Sequence, residues 1–367
     1  MSIKNWGIFA FVAGYHVLLI ALVPAYLPHF SWASVIFFAV TWAISVFSIT
    51  AGYHRLFSHN TYKAKPVYEW GCLLSSSLAV EASALQWSHD HRIHHSHVDT
   101  DKDPYSIKKG FWYAHMWWMF TYDEPIDERL VKDLMKNPRV MFQHRHYILM
   151  TAFVNLAVFG LGCLFMHPVA ALFASVARLF AIHHCTWFIN SLCHVWGART
   201  YAKELSAVDN AILAIFTFGE GYHNYHHTMA NDYRNGVRWY HFDPTKWLIW
   251  LSSKLGLVSD LRWVNDVKLR QILVKKDKSL LMDRIRQELD ETSKELQHRL
   301  EHLSESFESK AAALMAKLKE MRNATEERRK LLEIEVRQLK HELHAMWKSW
   351  ISLTEFMSSR YELGHAH

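Results

Sequence analysis

Long uncharged stretches dominate the first two thirds of the chain. They cover residues 6–27, 32–53, about 147–165 and about 169–192, and only the last contains a charged residue, Arg178. Each is close to the roughly 20 apolar residues that a helix needs to cross a bilayer. Turns at Pro28 and Pro168 join the stretches in pairs. The pattern predicts an all-α integral membrane protein with four transmembrane helices in two hairpins.

The distribution of basic residues predicts the orientation. The turns at 28–31 and 166–168 carry no Lys or Arg, whereas the segments on the other side carry many. By the positive-inside rule, both termini and the histidine-rich segments face the cytoplasm. The apolar segment 66–85 contains Glu69 and Glu81, so we expect it to lie along or dip into the interface, with a fifth span as the alternative.

Beyond Asp260 the sequence is rich in Glu, Lys, Arg, Leu and Ala. Apolar residues there recur in steps of three and four, with irregular steps near Phe307 and Arg328: Leu296, Leu300, Leu303, Phe307, Leu314, Leu318, Met321, Leu332, Val336, Leu339, Leu343, Met346, Trp350 and Leu353. Such a seam is typical of a coiled coil. It predicts a membrane domain at 1–265 and a helical coiled-coil tail at 266–367. One helix of about 75 residues would be about 110 Å long, and self-association through it is favoured over a lone helix folded onto the protein or membrane.

Histidines cluster at three places in the membrane part. His91, His94 and His95 have the same spacing as His223, His226 and His227. On a helix, positions i, i+3 and i+4 share one face, so each set directs three imidazoles to one point. Neutral imidazole is a ligand for iron, zinc, copper and nickel. Two such sets indicate two metal ions.

The remaining cluster, His54 and His59, has a spacing of five residues. An ideal α-helix would place these two side chains on different faces. We therefore expect a helix to end at this cluster.

Composition and charge narrow the function. The net charge of +6 comes without a basic block interleaved with aromatics, so nucleic-acid binding is not indicated. A cytoplasmic membrane surface explains the excess. The four cysteines, Cys72, Cys163, Cys185 and Cys193, show no paired spacing and lie in or beside apolar stretches. They are expected to be reduced.

With these motifs in this order, residues 5–265 resemble the membrane fatty acyl desaturases of the stearoyl-CoA (delta-9) type. The matching segments are 51–59, 90–95, 190–194 and 219–227. The resemblance implies nine iron-binding histidines and a water-bridging Asn190. These histidines are His54, His59, His91, His94, His95, His194, His223, His226 and His227.

The resemblance implies an O2-dependent di-iron enzyme that introduces a cis double bond into a saturated acyl chain, most often between carbons 9 and 10. Its cofactors would be two Fe2+ ions, with O2 as co-substrate. Removing hydrogen from an unactivated methylene requires an oxidant that side chains do not provide. The implied substrate-binding residues are Trp87, Thr186 and Trp187 at a tunnel bend, Trp42 and Val46 near its closed end, and Glu81 where the family has glutamine.

The carrier of the acyl chain stays open. Acyl-CoA members of the family have basic residues where this chain has His89 and Tyr122-Asp123. CoA, acyl carrier protein or a membrane lipid could carry the chain, and Lys102, Lys108 and Lys109 could contact any of them. Neither His-Pro-Gly-Gly nor Gly-x-Gly-x-x-Gly occurs, so we expect a separate ferredoxin, rubredoxin, cytochrome b5 or flavoprotein to supply electrons.

Two other functions are compatible with histidine clusters. A histidine-box hydroxylase or alkane monooxygenase shares the metal chemistry. A non-catalytic metal transporter or sensor with a coiled-coil signalling tail would require polar ligands inside the spans. Five acidic residues lie near the clusters, either orienting imidazoles or capping the surface: Asp90, Asp99, Asp101, Asp103 and Glu220.

Overall fold

The computed structural model describes residues 2–285 and 291–360, and these are mainly helical. The chain divides into two compact units, residues 1–263 and 264–367. The predicted tail residues 286–290 and 361–367 lie outside the described part.

The membrane character of the first unit is confirmed. Helices α1 (Trp6–Tyr26), α2 (Trp32–Phe47) and α9 (Pro168–Asn190) belong to three helical segments long and apolar enough to cross a bilayer. These segments are Trp6–His29, Trp32–Ser58 and Pro168–His194. The intramembrane Arg178 donates from Nη2 to Asn155 Oδ1 at 2.6 Å, so it has a polar partner on a neighbouring helix.

A fourth span depends on α8. Helix α8 (Tyr147–Cys163) has 17 residues and meets the criterion for a span only together with α7 (Pro138–Arg145), from which it bends by 81°. The structure therefore shows three helices able to span, or four if this bent pair counts as one.

The first histidine cluster lies where a long helix ends, as predicted. Helix α2 continues as a π-helix over Ser48–Ser58, and His59 follows directly. The His59 amide donates to the carbonyl of His54 at 3.1 Å. Bonds of this i to i+5 type are those of a π-helix. Residues five apart therefore share a face here, which an ideal α-helix would not allow.

The segment after this cluster does not cross the membrane. Helix α3 (Pro66–Ser76) has 11 residues, about 16 Å at 1.5 Å per residue, and packs on the π-helix. Strand β1 (Lys63–Ala64) pairs antiparallel with β2 (Val258–Ser259). The fifth span considered above is therefore absent from this described segment.

The remaining α-helices described in the first unit are short, apart from the one that carries the second histidine cluster. They are α4 (Ala84–His97), α5 (Trp118–Thr121), α6 (Lys132–Met135), α10 (Ala211–Phe216), α11 (His223–Thr228) and α12 (Pro244–Lys254). All four cysteines are free, as expected.

The second unit corrects the prediction of one long helix. It contains α13 (Asp266–Ile285), α14 (Glu291–Met321) and α15 (Glu326–Arg360), with a turn at 322–325. Helices α14 and α15 are antiparallel, because ion pairs join Lys310 to Glu342 and Lys317 to Glu335. The predicted seam is buried between these helices and α13.

The burial of the seam removes the sequence argument for self-association. Leu300, Leu314, Leu332 and Trp350 are fully buried by helices of the same chain. A heptad pattern says that an apolar face needs a partner helix, but not whether that helix belongs to another chain. The irregular steps near Arg328 mark the place where the chain reverses.

Candidate metal centre

Nine histidines gather into two groups. One group contains His54, His59, His91, His95 and His226, and the other contains His94, His194, His223 and His227. Within each group the possible ligand nitrogens all lie within 4.8 Å of one another. These are the nine residues named from the sequence. Both helical clusters contribute to both groups. The α4 cluster supplies His94 to one group and His91 and His95 to the other, and the later cluster is divided in the same way.

The ring nitrogens have a consistent orientation. Nε2 of His54 lies 2.9 Å from Nε2 of His226, and Nε2 of His59 lies 2.8 Å from Nε2 of His91. In the other group, Nε2 of His223 lies 3.2 Å from Nε2 of His194. The Nε2 atoms thus point inward in both groups.

Four of the outward Nδ1 atoms have polar partners. Nδ1 of His54 lies 2.7 Å from Glu220 Oε2, and Nδ1 of His94 lies 2.9 Å from Asp103 Oδ1. Nδ1 of His91 lies 3.2 Å from the Tyr105 hydroxyl, and Nδ1 of His194 lies 2.6 Å from Ser206 Oγ. Of the five nearby acids named above, Glu220 and Asp103 contact a histidine of the groups directly.

Asp99 acts through an intermediate residue. Ser206 donates from Oγ to Asp99 Oδ1 at 2.5 Å, and its backbone amide donates to Asp99 Oδ2 at 2.7 Å. Asp99 thereby fixes the hydroxyl that contacts His194. Asp90 instead accepts from Gln86 and contacts Nδ1 of His89, outside both groups.

These contacts make the donor set suitable for metal ions. A carboxylate accepts the Nδ1 proton of His54 and of His94, which leaves the Nε2 lone pair of each ring facing inward. Lone pairs about 3 Å apart repel unless a cation lies between them. Burial, followed by the charges of neighbouring histidines, lowers the pKa values of His91, His95, His226 and His227 well below 6.5. These four rings are therefore neutral, the form that binds metal.

A buried ion network supports the first group, and the sequence analysis missed most of it. Arg55 donates to Glu220 Oε1 and to both carboxylate oxygens of Asp243, at 2.8 to 3.1 Å. Burial alone would raise the pKa of Glu220, but the charge of Arg55, together with hydrogen bonds from His54 and Arg55, outweighs burial and holds this pKa below its ordinary value. In the sequence, this network is indicated by Arg55, a charged residue directly after His54 at the end of an uncharged stretch.

A cavity of about 730 Å³ lies against the histidines. His54, His91 and His223 are part of its wall. Five of the predicted substrate residues and the predicted water-bridging residue also line it: Val46, Glu81, Trp87, Thr186, Trp187 and Asn190. Trp42 does not. Its ring packs edge-on against Phe218, at 5.4 Å between centroids.

Glu81 is a partly buried residue in the wall of this cavity. Thr186 Oγ1 donates to its Oε1 at 2.8 Å, and Trp87 Nε1 donates to its Oε2 at 3.2 Å. Burial raises the pKa of Glu81 to about 8, even though these two hydrogen bonds act in the opposite direction. At pH 7 the group is therefore mainly protonated.

The lysines named as possible carrier contacts do not reach the cavity. Among the described residues, none of the residues lining it is Lys or Arg, whereas the exposed Asp123 and Glu124 do line it. Lys109 donates to the carbonyls of Asp101 and Asp103. His89 is fully buried and accepts a hydrogen bond from the Asp127 amide.

Comparison with known proteins identifies the family. Residues 6–254 match the fatty acid desaturase family. The chain is 41% identical over 277 residues to a probable acyl-CoA desaturase of Schizosaccharomyces pombe, covering 74% of this chain and 58% of that protein. It is 39% identical over 270 residues to acyl-CoA desaturase 1 of Saccharomyces cerevisiae, covering 72% and 52%.

Another relative is matched over almost its whole length. The sn-1 stearoyl-lipid 9-desaturase of Anabaena variabilis is 32% identical over 262 residues, covering 70% of this chain and 94% of that protein. The chain spans little more than half the length of the two yeast relatives. The matched family region contains both histidine groups and most of the cavity wall, and the chain belongs to the fatty acid desaturase family.

Proposed function

We propose that this chain is an O2-dependent di-iron desaturase that introduces a cis double bond, at carbon 9, into the saturated acyl chain of an acyl-CoA. The observation that carries the proposal is the position of two groups of inward-facing imidazoles at the wall of a 730 Å³ cavity. This volume lies within the range of small-molecule sites. The yeast relatives, named as acyl-CoA desaturases, support the acyl-CoA substrate.

The histidines would hold the two iron ions. His54, His59, His91, His95 and His226 would ligate one ion. His94, His194, His223 and His227 would ligate the other, with Asn190 bridging through water. Bound iron would supply the O2-dependent redox chemistry that an unactivated methylene requires. Tyr105, Ser206, Asp103 and Glu220 would orient the imidazoles through their Nδ1 atoms.

The cavity wall would position the acyl chain. Trp87 and Trp187 offer apolar faces, and the Trp87 indole stacks on His91 with 4.8 Å between ring centroids. Because Glu81 receives hydrogen bonds from both Trp87 and Thr186, it joins α4 to α9 on either side of the cavity. This link would fix the bend of the chain beside the histidines and restrict which methylene groups come near them.

An acyl-lipid substrate is the second candidate, because two observations favour it. The exposed lining residues Asp123 and Glu124 are acidic, and acidic groups repel the phosphates of CoA. The cavity is also lined by Ile8 and Ile148, which are 44% and 83% exposed on the membrane helices α1 and α8. The Anabaena relative is named as a lipid desaturase. An acyl carrier protein is the third possible carrier.

The proposed topology has four spans with both termini and the histidines on the cytoplasmic side. His94 on α4 and His194 after α9 belong to one group, so the chain must cross the membrane before α9 begins at Pro168. Helix α8 is the segment available for this crossing, and its 17 residues would span about 26 Å. The absence of Lys and Arg from the turns at 28–31 and 166–168 supports the orientation.

Electrons would come from a separate ferredoxin, rubredoxin, cytochrome b5 or flavoprotein that docks on the cytoplasmic face. The helices of the second unit bury their apolar seam among themselves. We propose that this unit is a domain added to the desaturase region rather than the electron carrier.

The first experiment is a fatty-acid profile by gas chromatography and mass spectrometry of desaturase-deficient cells that express the chain. His226→Ala is the control, because His226 contacts both His54 and His95. New cis-unsaturated acids that disappear in the control support desaturation and give the bond position. Hydroxylated acids would instead identify a hydroxylase.

Purified protein with a reducing partner then separates the carriers. Stearoyl-CoA, stearoyl-acyl carrier protein and a stearoyl phospholipid are supplied at equal concentration. Product from stearoyl-CoA supports the first proposal, and product from the phospholipid alone supports the second. Iron-loaded protein without product from any of them would favour a metal sensor or transporter.

A further inference from the structure

Helix α12 presents an apolar face to the outside of the first unit. Trp247, Trp250, Leu251 and Leu255 are 46%, 50%, 50% and 66% exposed. Their spacing places them on one side of the helix. The opposite side, which includes Thr245 and Ile249, is fully buried. Soluble proteins usually bury such a stripe, so an outward-facing stripe indicates contact with another apolar phase.

The loop before α12 extends this face with aromatic rings. Trp239 is 88% exposed, Tyr240 is 65% exposed, and the Phe242 ring lies 5.6 Å from that of Trp247. Lys254 lies over the Trp250 ring at 5.3 Å. Trp, Tyr and Lys are the residues that proteins place where the hydrocarbon core meets the headgroups.

The exposed loop is held in place from beneath. Buried Lys246 donates to the carbonyls of Gly236, Arg238 and His241, at 2.5, 2.8 and 3.2 Å. Asp243 Oδ2 accepts from the amides of Asn235 and Gly236. The aromatic side chains are therefore presented by an ordered loop, and their exposure does not come from a missing core.

The contacts of α12 place this helix beside the end of the second span. Thr245, at its first turn, hydrogen bonds to Thr50 of the second span at 2.8 Å. Phe218, whose carbonyl accepts from Thr245, also packs on Phe47 of that span at 4.7 Å. Phe47 lies 15 residues after the start of α2 at Trp32, about 22 Å along a helix that crosses a core of about 30 Å. The α12 region therefore lies near the cytoplasmic end of the core.

We infer that the outward face of α12, with Trp239 and Tyr240, is a lipid anchor that inserts into the cytoplasmic leaflet beside the second span. Amphipathic helices of this kind lie in the interface with their apolar face about 5–10 Å below the headgroups. The occupant is the lipid leaflet because the buried side of α12 packs on the end of a membrane-spanning segment, while the exposed side carries interfacial aromatic residues and a lysine. The anchor rests on the proposed topology, and it is independent of the proposed enzymatic activity.

The test is the accessibility of a spin label at Leu251→Cys in full-length protein reconstituted in phosphatidylcholine and phosphatidylglycerol vesicles. Leu255→Cys is the second position. Leu251 and Leu255 are 50% and 66% exposed, so neither change should disturb packing. Val17→Cys, which is 67% exposed in the first span, is the lipid control. Arg129→Cys, whose side chain is 90% exposed, is the water control. Labelled parent protein corrects for the native cysteines.

Two collision reagents distinguish the environments. Oxygen concentrates in the bilayer, and a neutral nickel chelate stays in water. For a lipid anchor, collisions with nickel at positions 251 and 255 are several-fold lower than at 129, and collisions with oxygen approach those at 17. Nickel accessibility equal to that at 129 would overturn the proposal. Low accessibility to both reagents would also overturn it, because the face would then be covered by protein, either the second unit or another copy of the chain.

Discussion

Glu81→Gln should stabilise the protein in a pH-dependent way. The pKa of Glu81 rises from 4.5 to about 8 because the carboxyl group is buried in the cavity wall. Between these two pH values the unfolded chain has lost the proton and the folded chain has kept it. Folding stability therefore falls as pH rises, by about 1.4 kcal/mol per pH unit.

The size of this stability effect follows from the interval between the unfolded-state and folded-state pKa values of Glu81. At pH 7 the cost of keeping Glu81 protonated is about 3 kcal/mol, and it approaches its limit of about 5 kcal/mol above pH 8. Glutamine has the same shape as the protonated acid and does not titrate. For a chain of 367 residues, an unfolding entropy of about 2.1 cal/mol/K per residue converts about 3 kcal/mol into a Tm increase of roughly 4 °C. The Gln variant should thus exceed the parent in Tm at pH 7, with a small difference near pH 5.

The assay is the Tm of detergent-solubilised protein, measured by fluorescence-detected size-exclusion chromatography from pH 5 to pH 8.5. Glu81→Asp is the matched control, since it keeps an ionisable group and should keep the loss of Tm with rising pH. The acyl-substrate KM of the parent should also rise above pH 8, because a charged carboxylate in an apolar cavity disfavours the acyl chain. Parallel Tm curves for parent and Gln variant would refute the reasoning.

Three further changes test other parts of the structure. Ser206→Ala should weaken iron binding by the four-histidine group about 10- to 100-fold, so the iron content per chain, measured by mass spectrometry under limiting iron, should fall toward half. Ser206→Thr is the control, because it keeps the hydroxyl group and should keep the iron. Equal iron content in the parent and both variants would refute the role of Ser206. Trp42→Ala should let the enzyme accept longer acyl chains, because its ring fills space next to the cavity-lining Val46; an unchanged chain-length preference in a product assay would contradict this. Trp350→Ala should destabilise the second unit by about 3–5 kcal/mol. The loss should appear as faster proteolysis of full-length protein within residues 264–360. Leu331→Ala, at an exposed position, is the control, and equal proteolysis rates for the two variants would contradict the packing described for Trp350.

Apolar runs and histidine spacing predicted much of the first unit, because both depend on local sequence. Burial of an uncharged stretch in lipid requires only length and composition. The π-helix at His54 and His59 was not predictable in detail. A spacing of five residues indicates that α-helical geometry fails, but a helix end and a widened helix both satisfy it, and the structure contains both.

Contacts between distant residues were beyond a single sequence. Arg55 and Asp243 are 188 residues apart, and the pairing depends on how α12 packs against the end of α2. The same limit explains the second unit. The heptad seam correctly marked the residues that become buried, but antiparallel pairing within one chain and parallel pairing between chains demand the same pattern.

The ion network around Arg55 explains how the two histidine groups keep their geometry. Arg55 follows His54 in the chain, and Glu220 lies three residues before His223, so the Arg55–Glu220 pair ties the first histidine cluster to the third. Asp243 and Lys246 extend the network to the ordered loop before α12. The charges of these four buried residues sum to zero, so the cost of burying each charge is offset by partners of the opposite sign. The imidazoles are thus held by protein contacts that do not themselves require metal, which is the arrangement that fixes ligand geometry before an ion binds.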